Sequence, residues 1–303
     1  MNKMNITTAA KNGLIIFFVA LFLAACGTTP FTGRRQLLLV SNQQVLALSQ
    51  QQFTQFMSTA DVVTDTPEAE MVQRVGSRIA QAVEIFYRNN GMEAELQNFN
   101  WSFHLVQDPS VNAFALPGGK VVIYTGLLPV TQTEEALAVV VGHEIAHIIA
   151  HHATERVSQQ MALQGIGMLG GALLGDSQWG NIGMTVFGIG AQYGVMLPFS
   201  RQQEHEADEI GLAIMALAGY DPRAAVPFWT RMSQMGTGGN IPAFLSTHPT
   251  DAARIAHIES VMQYALMFYV GAGVINPTTE PITTSVTIPQ TTTEPATSPE
   301  WSF

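Results

Sequence analysis

"VVVGHEIAHIIAHH", residues 139–152, sets four histidines and one glutamate in a run that is otherwise apolar. On a helix, His143 and His147 are four residues apart. Four residues turn the helix by about 400° and advance it by about 6 Å, so both rings leave one face. Two imidazole nitrogens at that spacing can meet one Zn²⁺ at roughly 2.0–2.1 Å. Glu144 sits too close to His143 to be a ligand. It can instead reach a water at the ion and take its proton as the water attacks a peptide carbonyl. Gly142 leaves room for the close approach of substrate or a strand. His151 is in phase with His143 but lies about 12 Å along the axis from it, so the three cannot share one ion. His152 points elsewhere. Both read as solvated or hydrogen-bonded helix histidines.

A catalytic zinc site needs three protein ligands and an open position, so the third ligand comes from another element. "SRQQEHEADEIG", residues 200–211, is the acidic cluster on a well-formed downstream helix. Glu204 and Asp208 are four apart and share a face, whereas Glu206 is rotated from Glu204 by about 200°. One arrangement makes Glu204 the ligand, with Asp208 behind it accepting a histidine N–H and fixing its tautomer. Glu206 and His205 compete for the ligand position, and a solvated acidic face is the plain alternative.

Around these two helices the chain reads as α+β, mainly helical, with a small sheet. Ser41 with Gln44 makes a capping box for a helix to about Ser58. Thr66-Pro67 starts a second helix, on which Met71, Val72, Val75, Ile79, Val83 and Phe86 recur at helical spacing until Asn89-Asn90-Gly91. Trp101 to Val106 alternates as a strand. Ala113 to Leu116 and Val121 to Tyr124 form a hairpin around Pro117-Gly118-Gly119. Thr131 and Glu134 cap a long helix that continues to about Met161 and carries all four histidines. Residues 165–199 are glycine-rich and apolar, with Asp176 the one charge, and read as a buried or membrane-facing helical hairpin. A helix spans Arg201 to Ala218 with Gly219 past its end. Asp221-Pro222 starts the next, and Thr247-His248-Pro249 leads into a last one bearing Arg254.

The chain has 303 residues, enough for one large or two small domains with a substantial core. Charged residues are only 12%, so the body is globular and poor in charge, and the net charge of −10 with no basic stripe excludes nucleic acid as a partner. Lys3 and Lys11 precede a short apolar stretch, Gly13 to Leu23, and then Leu23-Ala24-Ala25-Cys26-Gly27. This run resembles a bacterial lipoprotein signal, with Cys26 the lipidated residue. Cys26 is the single cysteine, so no internal disulfide forms. Acyl chains there anchor a protein on a membrane without spanning it. Gly27 after the cysteine matches the sorting rule for the periplasmic face of the outer membrane. The expected organisation is therefore a signal peptide (1–25), a tether (26–40), a zinc metallopeptidase domain (41–275) and a disordered Thr/Pro-rich tail (276–303).

GHEIAH, SRQQEHEAD and STHPTDAAR together resemble the gluzincin family of HtpX-like and CAAX-prenyl-protease-like zinc endopeptidases, over about residues 35–270. The nearest likeness is to its periplasmic lipoprotein members. The resemblance implies a zincin-type domain with one Zn²⁺ per chain held by His143, His147 and Glu204. It implies Glu144 as general base, Asp208 as the supporting acid, and His248 with Arg254 at the substrate carbonyl or developing oxyanion. It makes Asn112, Ala113 and Phe114 an edge strand that borders the cleft and aligns substrate backbone. The implied substrates are unfolded or misassembled envelope proteins, with the outer-membrane assembly machinery as a partner. Flanking transmembrane helices and TPR-like repeats of some relatives are not evident. The competing readings are a zinc-bearing chaperone or assembly factor with little hydrolysis, and a structural zinc site. The last is weakened because structural sites fill all four positions, often with cysteine.

Overall fold

The computed structural model describes residues 26–163, 200–236 and 241–269. The expected signal peptide, the glycine-rich hairpin and the Thr/Pro-rich tail lie outside the described residues.

Residues 26–40, expected as a tether, begin with a hairpin of β1 (Cys26–Thr28) and β2 (Arg35–Leu37), with Cys26 opposite Leu37. Helix α1 (Asn42–Met57) follows, and its Ser41/Gln44 capping box is formed. Helix α2 (Pro67–Asn89) has Thr66 accepting from Ala69 N and Pro67 in its first turn. Its Val72, Val75, Ile79 and Val83 are buried. A short α3 (Glu93–Leu96) precedes the sheet.

The sheet contains β3 (Val62–Val63), β4 (Ser102–Val106), β5 (Ala113–Leu116) and β6 (Lys120–Tyr124), in the order β3-β4-β6-β5. β4 and β6 run parallel and the other pairs antiparallel. Alternation divides the side chains between two faces. Phe103, Leu105, Val121 and Ile123 join the core with α2, whereas Val106, Phe114, Leu116 and Val122 pack with Val45, Leu48 and Phe53 of α1. The β5–β6 turn needs its glycines. Gly118 and Gly119 have φ of 92° and 88°, and a Cβ on Gly119 would lie 2.7 Å from the Trp101 ring. β5 is an edge strand, paired only with β6 among the described residues.

A 3₁₀ turn (Thr125–Leu127) and α4 (Leu128–Thr131) lead to α5 (Glu134–Ile149). The cap of α5 is Thr133, whose side chain accepts from Ala136 N, and not Thr131. Thr131 closes α4, with its hydroxyl on the Leu128 carbonyl, and Gln132 at φ 65° separates the two helices. Every residue of α5 from Ala136 to Ile149 is buried, which makes it the central helix. It does not run on to Met161. His151 takes a left-handed φ of 55°, and α6 (His152–Leu163) leaves at 53° to α5. No single described helix is long and apolar enough to cross a membrane.

Helix α7 (Arg201–Leu217) has a Ser200/Gln203 capping box, and Gly219 with φ 82° follows its end. After a 3₁₀ turn (Pro222–Ala224) come α8 (Ala225–Met235), α9 (Ala243–Thr247) and α10 (Ala252–Met267). α5 and α7 touch backbone to backbone. A Cβ on Gly142 would lie 2.8 Å from the Gly211 carbonyl oxygen, and one on Gly211 would lie 2.9 Å from His143 N. Gly142 thus makes room for a helix, not for the substrate or strand expected from sequence.

Candidate metal centre

The Gly142–Gly211 contact sets one turn of α5 against the first turns of α7. α5 presents His143, Glu144 and His147, α7 presents Glu204 and Asp208, and all five are buried. His248 enters from the loop between α9 and α10. His143 Nε2 and His147 Nε2 are 3.0 Å apart. They lie 3.5 Å from Glu204 Oε2 and 3.4 Å from Glu204 Oε1 respectively. His248 Nδ1 is 3.2 Å from His143 Nε2 and 3.0 Å from Glu204 Oε1. One donor atom from each of His143, His147, Glu204 and His248 falls within 4.8 Å of the other three.

Nitrogen and carboxylate donors at this spacing fit zinc, since two atoms each about 2.0–2.1 Å from one tetrahedral ion lie about 3.3 Å apart. Charge fits as well. Three buried carboxylates, Glu144, Glu204 and Asp208, gather around the guanidinium of Arg254, a concentration of acidic groups suited to a divalent cation. Burial works against charge on His143, but Glu204 and Asp208 outweigh it and lift the imidazole to about 9. Burial, joined by the neighbouring His143 and His152, holds His147 well below the ordinary imidazole range against the pull of Glu204. Glu204 is pushed up by burial, yet Arg254, His248 and His143 together bring it well below the usual carboxylate range. Asp208 is lowered in the same way, chiefly by Arg254. Glu144 goes the other direction: burial dominates and raises it, as suits a group that must accept a proton.

Asp208 Oδ1 lies 2.9 Å from His143 Nδ1, which turns His143 Nε2 toward the donor cluster. Glu206 and His205, the competitors for the ligand position, lie elsewhere. Glu206 Oε2 is 2.9 Å from His152 Nε2, and His205 stacks on His257 with centroids 4.2 Å apart. His152 is not a solvated helix residue. The break at His151 swings it behind His147, with the two Nδ1 atoms 2.8 Å apart.

Arg254, expected at the substrate, is buried within the donor cluster. Its Nε and Nη2 lie 2.7 and 2.8 Å from Asp208, its Nη1 lies 2.6 Å from Glu204 Oε2, and its guanidinium stacks 3.7 Å over Trp229. A cation so enclosed holds the two carboxylates in place.

The expected edge-strand residues divide by register. Tyr124 N donates to the Asn112 carbonyl, so in the antiparallel alternation Asn112, Phe114 and Leu116 turn their backbone groups to β6. Ala113 and Ala115 turn theirs away from β6. Ala115, which sequence reasoning missed, turns its N–H toward Glu144, which favours the charged carboxylate there. The Phe114 side chain packs edge-on against Phe56 and Tyr124. Beside His147 and Ala115 lies a small, mostly apolar cleft whose walls include Leu46, Phe99, Pro117 and Ile148.

A family model described as Peptidase family M48 matches residues 66–262. The chain belongs to peptidase family M48. The M48 fold here is the mainly helical zincin-like domain, and M48 peptidases use zinc, so zinc is the cofactor for the His143, His147, Glu204 and His248 cluster. The M48 relatives include the mitochondrial metalloendopeptidase OMA1 of Schizosaccharomyces pombe, 41% identical over 54% of this chain and 47% of its own length. Human metalloendopeptidase OMA1, mitochondrial, is 29% identical over 83% of this chain and 48% of its own. The beta-barrel assembly-enhancing protease of Escherichia coli K12 is 27% identical over 78% of this chain and 47% of its own. The chain thus spans about half the length of these M48 relatives.

Proposed function

We propose that this M48 member is a membrane-anchored zinc endopeptidase that cleaves unfolded or misassembled periplasmic and outer-membrane proteins. The observation that carries the reading is the position of Glu144. Its buried carboxyl lies beside the four-donor cluster and faces the Ala115 N–H of β5. A catalytic centre keeps one position for its reactants. That assigns His143, His147 and Glu204, all on the rigid α5–α7 pair, to the metal and leaves His248, on a loop, to the substrate. When bound, Zn²⁺ supplies a Lewis acid that polarises the scissile carbonyl and acidifies water.

The chain's own residues do the rest. A substrate segment lies along the edge of β5 beside Ala115, in the manner of an added strand. Its apolar side chains enter the cleft beside His147. Glu144 takes the proton of the attacking water and passes it to the leaving amine. His248, with Nε2 3.2 Å from Glu144 Oε1, donates to the oxygen that becomes negative. Asp208 fixes the ring of His143.

The envelope location rests on the lipoprotein-like run ending in Cys26 and on the likeness to a protease named for β-barrel assembly. The periplasmic lipoprotein branch of the family fits the same features. Glu144→Gln keeps the charge-independent shape of the site. It is expected to bind one zinc as the parent does and to lose casein cleavage by about 10²–10⁴-fold. Retained cleavage in the cleanly purified variant excludes Glu144 as the base. If instead Glu144→Gln complements a deletion strain as well as the parent, the chaperone reading replaces the protease.

A further inference from the structure

His152 and Glu206 have no part in the reaction above, yet both are buried directly behind it. His152 Nε2 lies 2.9 Å from Glu206 Oε2, and His152 Nδ1 lies 2.8 Å from His147 Nδ1. A carboxylate only accepts, so His152 Nε2 carries the proton and donates it to Glu206. In a neutral imidazole the other nitrogen then holds a lone pair. Of the two facing Nδ1 atoms, the one on His147 is therefore the donor. This leaves His147 Nε2 bare, 3.0 Å from His143 Nε2 and 3.4 Å from Glu204 Oε1.

The backbone is bent to make this contact. Five residues along a straight helix would rotate His152 by about 140° from His147. His151, at φ 55°, breaks α5 and returns His152 to the metal-facing side. A non-glycine residue held left-handed costs roughly 1–2 kcal/mol, so the contact is maintained against that strain. Glu206 is fixed in turn from the N-terminal hairpin. Thr29 donates to its Oε1 at 2.8 Å, Thr32 donates to the same oxygen, and Arg34 Nε lies 2.5 Å from Oε2.

We propose that Glu206 and His152 are positioning residues for His147: a carboxylate–imidazole–imidazole relay, held by the hairpin, that sets the tautomer and orientation presenting His147 Nε2 to the metal. It is the counterpart, for the second histidine, of the Asp208 contact to His143. The inference rests on the reading of His147 as a ligand, and the test separates the two.

Zinc affinity of the full chain is measured by competition with a chromophoric chelator. His147→Ala is expected to abolish tight binding; if it binds as the parent does, the ligand reading fails. His152→Phe keeps ring volume but offers no acceptor, and is expected to weaken zinc binding about 10–100-fold. His152→Asn restores an acceptor for His147 Nδ1–H and is expected to recover most of that loss. If His152→Phe binds zinc within about twofold of the parent while His147→Ala does not bind, the relay is overturned. If His152→Phe does not fold, ¹⁵N-histidine spectra of the zinc-free parent decide, since there no metal bond fixes the tautomer. An Nδ1–H tautomer at His147 supports the relay, and an Nε2–H tautomer there overturns it.

Discussion

Arg254 holds two carboxylates that the metal centre needs close together. Its planar fork bonds both oxygens of Asp208 while Nη1 reaches Glu204, and Trp229 covers the guanidinium face. Removing a partner from a buried ion cluster leaves uncompensated charge and costs about 3–5 kcal/mol. Arg254→Met is therefore expected to lower the unfolding free energy from urea titration by that much. Arg254→Lys is expected to recover less than half, because an ammonium cannot make the paired contacts or stack in the same way. Full recovery by lysine would show that charge alone matters here. Sequence spacing reveals His143, Glu144 and His147 because four residues on a helix define a face without any tertiary knowledge. The part played by Arg254 has no such local signal: Asp208 is 46 positions away. The same holds for Ala115, whose outward N–H follows from strand register and not from residue type.

The α5–α7 crossing depends on two glycines whose Cβ atoms would strike the opposite backbone. In an exposed helix interior, Gly→Ala stabilises by about 0.5–1 kcal/mol. At Gly211 the sign should reverse. Overpacking a tight contact costs about 1–3 kcal/mol, and the forced separation pulls Glu204 and Asp208 from His143. Gly211→Ala is thus expected to lower both thermal stability and zinc affinity, read by calorimetry and chelator competition; a stabilised variant with parent-like zinc binding would refute the close-crossing argument. The elements themselves were largely legible. The caps at Ser41/Gln44 and Thr66-Pro67 are local hydrogen-bond patterns that start their helices where sequence places them, and the helix expected from Arg201 begins there, on a Ser200/Gln203 box that the sequence reading did not name. The break at His151 was not legible, since Ala150-His151-His152 contains neither glycine nor proline. The bend is set by what His152 meets on α7. The cap of α5 falls on Thr133 because α4 consumes Thr131, a competition between neighbouring turns that propensity does not resolve.

The N-terminal hairpin ties the segment after Cys26 to the back of the metal centre. Arg34 bridges Glu206 and Glu155, with Nη1 and Nη2 2.9 and 2.7 Å from the Glu155 oxygens, and Gln203 adds 2.7 Å to the same carboxylate. A tether expected from composition is thereby joined to α6 and α7, because its partners lie more than a hundred residues downstream. Burial pushes the Glu206 carboxyl up, but bonds from His152, Thr32 and Arg34 outweigh it and bring it down to about 2 from an ordinary 4.5. A folded-state value below the unfolded one adds stability that is complete above pH 4.5 and fades as pH falls toward 2. Arg34→Met removes the cation from this cluster and is expected to destabilise by about 3 kcal/mol near neutrality. The gap between parent and variant should then close progressively below pH 4.5, as Glu206 protonates in the variant first and in the parent last. Urea unfolding of both proteins across that range measures it directly. A gap that stays constant down to pH 3 would mean that Arg34 acts by packing its stem and not by pairing with Glu206, and the hairpin would no longer bear electrostatically on the residues behind His147.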